Sequence, residues 1–204
     1  MSKKFFLIIL LFIFSHSFFS NDLLTKESTD INRFNFNFDD LSRSFIKENN
    51  NNTLESISEF LTNYDYFFLV LLPISGYSAG YLLNDDKLKK VATDSILSSA
   101  LTGSIIITTK IFVGRERPNP ENDTYSFKPF APLTEGSTYT SFPSGHSAVS
   151  WAAYTPYAMQ YNPWIFSIPF SISLSRLIED RHWLSDVVVG SLIGYYVASY
   201  MYYR

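Results

Sequence analysis

Apolar positions fall into blocks along the chain, separated by polar punctuation, and the blocks set the expected elements. The first is an unbroken apolar stretch from Phe5 to Phe14, behind Lys3 and Lys4 and ahead of the small residues Ser15 and Ser17. Residues 1–20 have the form of a secretory signal, and equally of a short first transmembrane helix that stays attached. Residues 21–63 are polar and irregular. Within them "NRFNFNFDD" alternates like a short strand, and "ENNNN" is of low complexity. "TLESISEFL" sets Leu54, Ile57, Phe60 and Leu61 on one helical face, which suits an ordinary packing helix or one lying along a membrane surface.

From residue 64 onward the pattern changes to long uncharged runs. "YFFLVLLPISGYSAGYLL" (66–83) and "SILSSALTGSIIITT" (95–109) carry no charge. Between Ser137 and Ser175 only tyrosines and His146 titrate, and the stretch divides at "YNPW" into two segments. A last run extends from Val187 to Tyr203. Several runs are short for a lone spanning helix, which needs about 20 apolar residues. All are rich in Ser, Gly, Ala and Thr, the residues that let membrane helices approach closely. The expected fold is all-α: a compact transmembrane bundle of about five to six spans, the sixth being the N-terminal stretch if retained. Residues 64–204 would form this domain, with 1–20 and 21–63 as separate preceding segments.

Composition fits that setting. Apolar residues make up 46% of the 204, aromatics 18% with 19 Phe and 14 Tyr, and charged residues only 17%. Such an aromatic share suits long contact with lipid and its headgroup layer. The net charge of −3 gives no hint of a nucleic-acid partner. There is no cysteine, so disulfides, thiolate metal sites and cysteine nucleophiles are excluded.

Charge also predicts orientation. Lys87, Lys89 and Lys90, between the first two runs, belong in the cytoplasm by the positive-inside rule, and Arg204 falls on the same side. "TTKIFVGRERP", "FPSGHSAVSW" and "SLSRLIEDRH" then meet at the external face. The loop from Asn119 to Phe142 joins the first two, and its aromatics Tyr125, Phe127, Phe130, Tyr139 and Phe142 suit the interface, unless the loop is a plain connector.

The three convergent clusters carry chemistry. A phosphate monoester needs cations for its oxygens; arginine grips them in pairs and lysine acts as a point charge. Lys110, Arg117 and Arg176 are candidates, although snorkelling toward headgroups explains many such residues at helix ends. Arg115 and Arg181 are read as snorkelling residues. In "PSGH", Ser144 can cap a helix, Gly145 permits close backbone approach, and helix-start amides bind anions. A good helix start explains Ser144 but not His146. The chain has three histidines; His16 is incidental, whereas His146 and His182 share one face with the cations. A lone histidine there can be an interhelical hydrogen bonder; two beside three cations point to catalysis. The acidic pairs Asp39-Asp40 and Asp85-Asp86 have no histidine pair nearby, and Glu179-Asp180 is read as solvated loop.

Lys110 with Arg117-Pro118, Pro143 to His146, and Ser175-Arg176 with His182 and Asp186 resemble, in order and spacing, the three-part signature of the type 2 phosphatidic acid phosphatase superfamily. That superfamily holds membrane lipid phosphate phosphatases, soluble class A acid phosphatases and vanadium haloperoxidases. The resemblance covers residues 64–204 and implies His182 as nucleophile, Asp186 as its orienting acid and His146 as general acid and base. It implies Lys110, Arg117, Arg176, Ser144 and Gly145 as phosphate binders, with no metal and no cofactor. A multi-pass enzyme of the cytoplasmic membrane, acting at its outer face on a membrane lipid phosphate, is the leading expectation. A secreted soluble acid phosphatase and a vanadate-dependent haloperoxidase are the alternatives.

Overall fold

A long, doubly capped helix organises the chain. The computed structural model describes residues 38–65, 67–119 and 124–204, so the N-terminal apolar stretch and residues 21–37 of the irregular segment lie outside the described residues. Among the described residues seven α-helices follow in order: α1 (Phe38–Asn49), α2 (Asn52–Asn63), α3 (Leu72–Leu82), α4 (Asp86–Val113), α5 (Gly145–Gln160), α6 (Ser167–Ile178) and α7 (Leu184–Tyr203). A π-helical turn, Phe67–Leu71, leads into α3. Among the described residues there is no strand, only an isolated bridge between Arg115 and Phe127. The all-α expectation holds. Most of the expected strand, residues 32–37, lies outside the described residues; its last three, Phe38, Asp39 and Asp40, open α1, where the acidic pair suits the positive end of the helix dipole.

α4 starts at Asp85, whose carboxylate accepts from the Leu88 amide at 3.0 Å. It stops at Gly114, whose φ of 58° lies in the left-handed region. A Cβ there would stand 1.8 Å from the Lys128 carbonyl, so both conformation and space demand glycine. At 1.5 Å per residue α4 is about 42 Å long, more than the ~30 Å hydrocarbon core of a bilayer. α4 and α7 are long and apolar enough to cross a membrane; Phe67–Leu82 and Pro163–Ile178 are shorter apolar helices.

α5 lies at the centre, packed against α4, α6 and α7. Its inward positions are small: Ala148, Ala152, Ala153 and Ser150 are all fully buried. α7 answers with Gly190 and Gly194, where a Cβ would come within 2.5 Å of the Ser144 carbonyl and 2.0 Å of the Ala148 carbonyl. This is the close backbone contact that small residues one turn apart allow between membrane helices. The bundle is apolar outside, with Leu101, Ile107, Phe112, Phe170 and Leu192 exposed.

Lys90, near the start of α4, pairs with Asp94 at 2.7 Å and reaches the Tyr202 carbonyl near the end of α7 at 3.4 Å. The lysine-rich turn and the C-terminus therefore share one end of the bundle. The motif residues sit at the other.

The α5–α7 contact yields a direct expectation. Gly194→Val should lower the thermal midpoint in detergent by the equivalent of about 1–3 kcal/mol, the usual overpacking penalty. Gly103→Ala, where a Cβ meets nothing within 4 Å, should leave it unchanged or raise it. Equal behaviour of the two variants would refute close helix contact at Gly194.

Candidate active site

The end of α4, the start of α5 and the start of α7 are stitched together by backbone. The Ser144 amide donates to the Asp186 carbonyl at 3.0 Å, and the Ser141 amide to the Arg115 carbonyl at 2.9 Å. The Arg117 amide reaches Thr138 at 2.9 Å, and the Lys128 amide returns to Gly114 at 2.7 Å. These bonds bring all three sequence clusters to one end of the bundle, as the hydropathy pattern predicted.

Asp186 carries the cluster's fully enclosed carboxylate, with no solvent exposure. One carboxylate oxygen accepts from Arg115 Nη1 at 2.7 Å. The other accepts from Ser141 Oγ at 2.5 Å and from the Trp183 amide at 2.9 Å. The same oxygen lies 3.7 Å from His182 Nδ1, longer than a hydrogen bond, and that buried nitrogen has no hydrogen-bond partner. Catalytic hydrogen bonds are often long in the unliganded state and tighten around substrate. Burial pushes the His182 imidazole down to about 4; Asp186 opposes the shift, while Lys110 and Arg117 add to it. The ring is therefore neutral near pH 7, the state in which an imidazole nitrogen can attack.

His146 opens α5, partly exposed, and its Nε2 lies 2.8 Å from Asp65 Oδ2. Lys110 Nζ donates to the Thr140 carbonyl. Arg117 reaches the Ser137 carbonyl at 3.1 Å, and at 3.3 Å both the Arg181 carbonyl and Thr140 Oγ1. Arg176, 4% exposed, contacts Thr62 Oγ1 and Glu179 Oε1, the latter at 3.3 Å. Burial, then the neighbouring Arg181, pulls the Arg117 guanidinium below its ordinary value. The part of that shift due to Arg181 and Arg176 reflects clustered positive charge, which favours an anion.

Four sequence-based readings need correction. Ser144 occupies the N-cap position of α5, yet its side chain makes no capping bond; it is fully buried and its hydroxyl accepts from Ser147 Oγ at 3.0 Å. The Glu179-Asp180 pair is not solvated loop. Arg43 grips Asp180 with two bonds of 2.6 Å, Lys47 joins at 2.9 Å, and Glu179 faces Arg176 and Thr62. Phe142 is buried rather than interfacial, whereas Tyr125, Phe127 and Phe130 are exposed as expected.

Arg115 is the largest departure. It does not snorkel: it is 3% exposed and bridges Asp186 to Asp39, the latter at 2.8 Å. Asp39 in turn accepts from the Ser185 amide at 2.7 Å and its hydroxyl at 2.6 Å. A carboxylate from α1 thus completes the N-terminus of α7, where negative charge is favoured. Spacing offered no sign of the Asp39 role, because its partners lie far along the chain.

The PAP2 superfamily description matches residues 92–204, more than half of the chain, and the chain belongs to that superfamily. It resembles a "Lipid A 1-phosphatase" of Porphyromonas gingivalis, 28% identical over 131 residues, covering 61% of this chain and 26% of the relative. One of the same description from Rhizobium johnstonii is 29% identical, over 49% of this chain and 41% of that one. A third, from Rhizobium etli, is 27% identical over 69% of this chain and 67% of the relative. The chain thus spans about a quarter and two fifths of the first two relatives' lengths. A solved structure, "Crystal structure of Aquifex aeolicus LpxE", shares the fold: TM-score 0.61, 22% identity, 83% of this chain and 98% of that chain covered.

The Arg115 bridge can be tested through stability. Arg115→Met leaves two buried carboxylates without their cation and should cost about 3–5 kcal/mol, read as a lowered thermal midpoint in detergent. Arg181→Met, at an exposed residue of the same face, should leave the midpoint unchanged. Similar midpoints for the two variants would show that Arg115 is not a structural bridge.

Proposed function

We propose that this chain is a lipid phosphate phosphatase that hydrolyses a phosphate monoester of a membrane lipid through a phosphohistidine on His182. One observation carries the reading: His182, with buried Asp186 behind it, shares one end of an apolar bundle with His146 and the cations Lys110, Arg117 and Arg176. Three relatives described as lipid A 1-phosphatases support a membrane lipid as substrate and make a lipid A 1-phosphate the first candidate.

In the proposed cycle, Asp186 holds the His182 tautomer that carries its proton on Nδ1, leaving Nε2 free to attack phosphorus. As the P–N bond forms, the ester P–O bond breaks and the leaving oxygen takes a proton from His146. Water then gives a proton to His146 and attacks phosphorus, and the P–N electron pair returns to His182. Lys110, Arg117 and Arg176, with first-turn amides of α5 around Gly145, stabilise the equatorial oxygens as their charge redistributes. Ser144 would act by setting the position of this first turn, since its amide is bonded to the Asp186 carbonyl and its hydroxyl accepts from Ser147. All of this positive charge comes from side chains and amides, so the cycle needs no metal or cofactor.

In the same proposal the bundle spans the cytoplasmic membrane about five to six times, with the site at the outer face and phosphorus at headgroup depth. The lipid tails stay among the helices, and the exposed loop aromatics border the entrance. The apolar exterior and the two long apolar helices favour this over a soluble acid phosphatase.

Turnover and topology test the proposal together. For the purified protein in detergent, kcat/KM should rise at least ~100-fold from glycerol phosphate to a long-chain lipid phosphate, because remote binding energy serves the transition state. EDTA should not abolish activity. In intact cells, a cysteine placed at Ser126 should react with a membrane-impermeant thiol reagent and one at Lys89 should not. Equal efficiency on both substrates, or labelling at residue 89, would contradict the interfacial enzyme.

A further inference from the structure

Asp65 touches the proposed general acid, yet it belongs to none of the three signature clusters and lies before residue 92, where the family match begins. It follows α2 and is itself about one-third exposed, with its carboxylate 2.8 Å from His146 Nε2. That ring also lies in the field of Arg176 and Arg117, two cations that work against a positive imidazolium. Asp65 is the acidic group that faces it.

We infer that Asp65 is the positioning residue of His146: its carboxylate accepts a hydrogen bond from Nε2–H, fixes the ring, and leaves Nδ1 to exchange protons with the leaving oxygen and then with water. This inference rests on the phosphatase reading above. A neutral imidazole donates through one nitrogen and accepts through the other, so a carboxylate at Nε2 selects the nitrogen that faces the reaction. The same carboxylate compensates the positive charge the ring carries while it is the acid. The two histidines would then each have their own orienting acid, Asp186 from α7 and Asp65 from the segment after α2.

α2 is well placed to supply this contact. Its last turn also carries Thr62, which touches Arg176 and Glu179 on the α6 side of the site. The segment that brings Asp65 to His146 is thus anchored on a second motif residue. A competing role is also visible, because Asp65 contributes to the field at Arg176 and could act only as its counter-ion. The two roles differ in chemistry. In the bond-breaking step that kcat/KM reports, a positioning residue for the general acid matters only when the leaving group needs a proton, whereas a counter-ion of the phosphate clamp matters for every phosphate ester.

The test therefore varies the leaving group. Asp65→Asn should lower kcat/KM about 10- to 100-fold for a long-chain alkyl phosphate, whose alkoxide must be protonated as it leaves. On p-nitrophenyl phosphate, whose phenolate leaves unaided, kcat/KM should change less than about twofold, and retained activity there shows that the variant is folded. Asp65→Glu should restore part of the alkyl-phosphate activity. In a His146→Asn background the further change Asp65→Asn should alter the alkyl-phosphate rate by less than about twofold, since coupled residues are non-additive. Equal losses on both esters, or a full Asp65 effect without His146, would overturn the inference. A wild-type protein inert on both esters would instead refute the phosphatase reading on which it rests.

Discussion

The buried carboxylate of Asp186 is the constraint from which the rest of the site follows. A charge with no solvent exposure must be matched by donors, and four elements supply or adjoin them. Arg115 comes from the turn after α4, Ser141 from the loop ahead of α5, and the Trp183 amide from the start of α7. The Asp186 carbonyl closes the circle by accepting from the Ser144 amide at the start of α5. Satisfying one acid therefore fixes the relative positions of three helix ends, and His182 rides on that frame four residues away.

The frame explains why α1 belongs to the site although it contributes no signature residue. Arg115 brings one guanidinium to two buried carboxylates, and Asp39 is the second of them. Trp183 belongs to the same assembly, with the Arg43 and Arg115 guanidinium carbons 5.3 Å and 5.4 Å from its ring centroid and its Nε1 donating to the Glu116 carbonyl at 3.0 Å. Arg43 continues the chain of charges to Asp180, so α1 is fastened to both sides of the His182 segment. For His182 as the proposed nucleophile, a rigid support of this kind is what would let its proposed orienting acid close the 3.7 Å gap when substrate arrives.

The hydropathy pattern made the helices and their common polar end legible, because apolar periodicity and lysine placement act over short range. α2 falls where "TLESISEFL" placed it, and α7 where the last apolar run lay. The motif residues stood out because two of the chain's three histidines fall within polar clusters beside uncharged apolar runs. What escaped the sequence were long-range pairings: Arg115 with Asp39, Arg43 with Asp180, and Asp65 with His146. Their partners lie far apart in the chain and no spacing rule connects them. Arg115 was misread for a physical reason, since an arginine just beyond an apolar helix usually reaches for headgroups, and only a buried acid on another element turns it inward. Ser144 was misread because burial beneath the α7 glycines leaves its hydroxyl to Ser147 instead of the helix cap.

The central claim is that the frame around Asp186 exists to make His182 a nucleophile toward phosphorus. Rapid quench of the detergent-purified protein with a lipid phosphate labelled on phosphorus tests it most directly. The account predicts a transient phosphoenzyme that is labile to acid, stable to base, and absent from His182→Ala while still formed, more slowly, by Asp186→Asn. Labelled protein that persists in His182→Ala would contradict it.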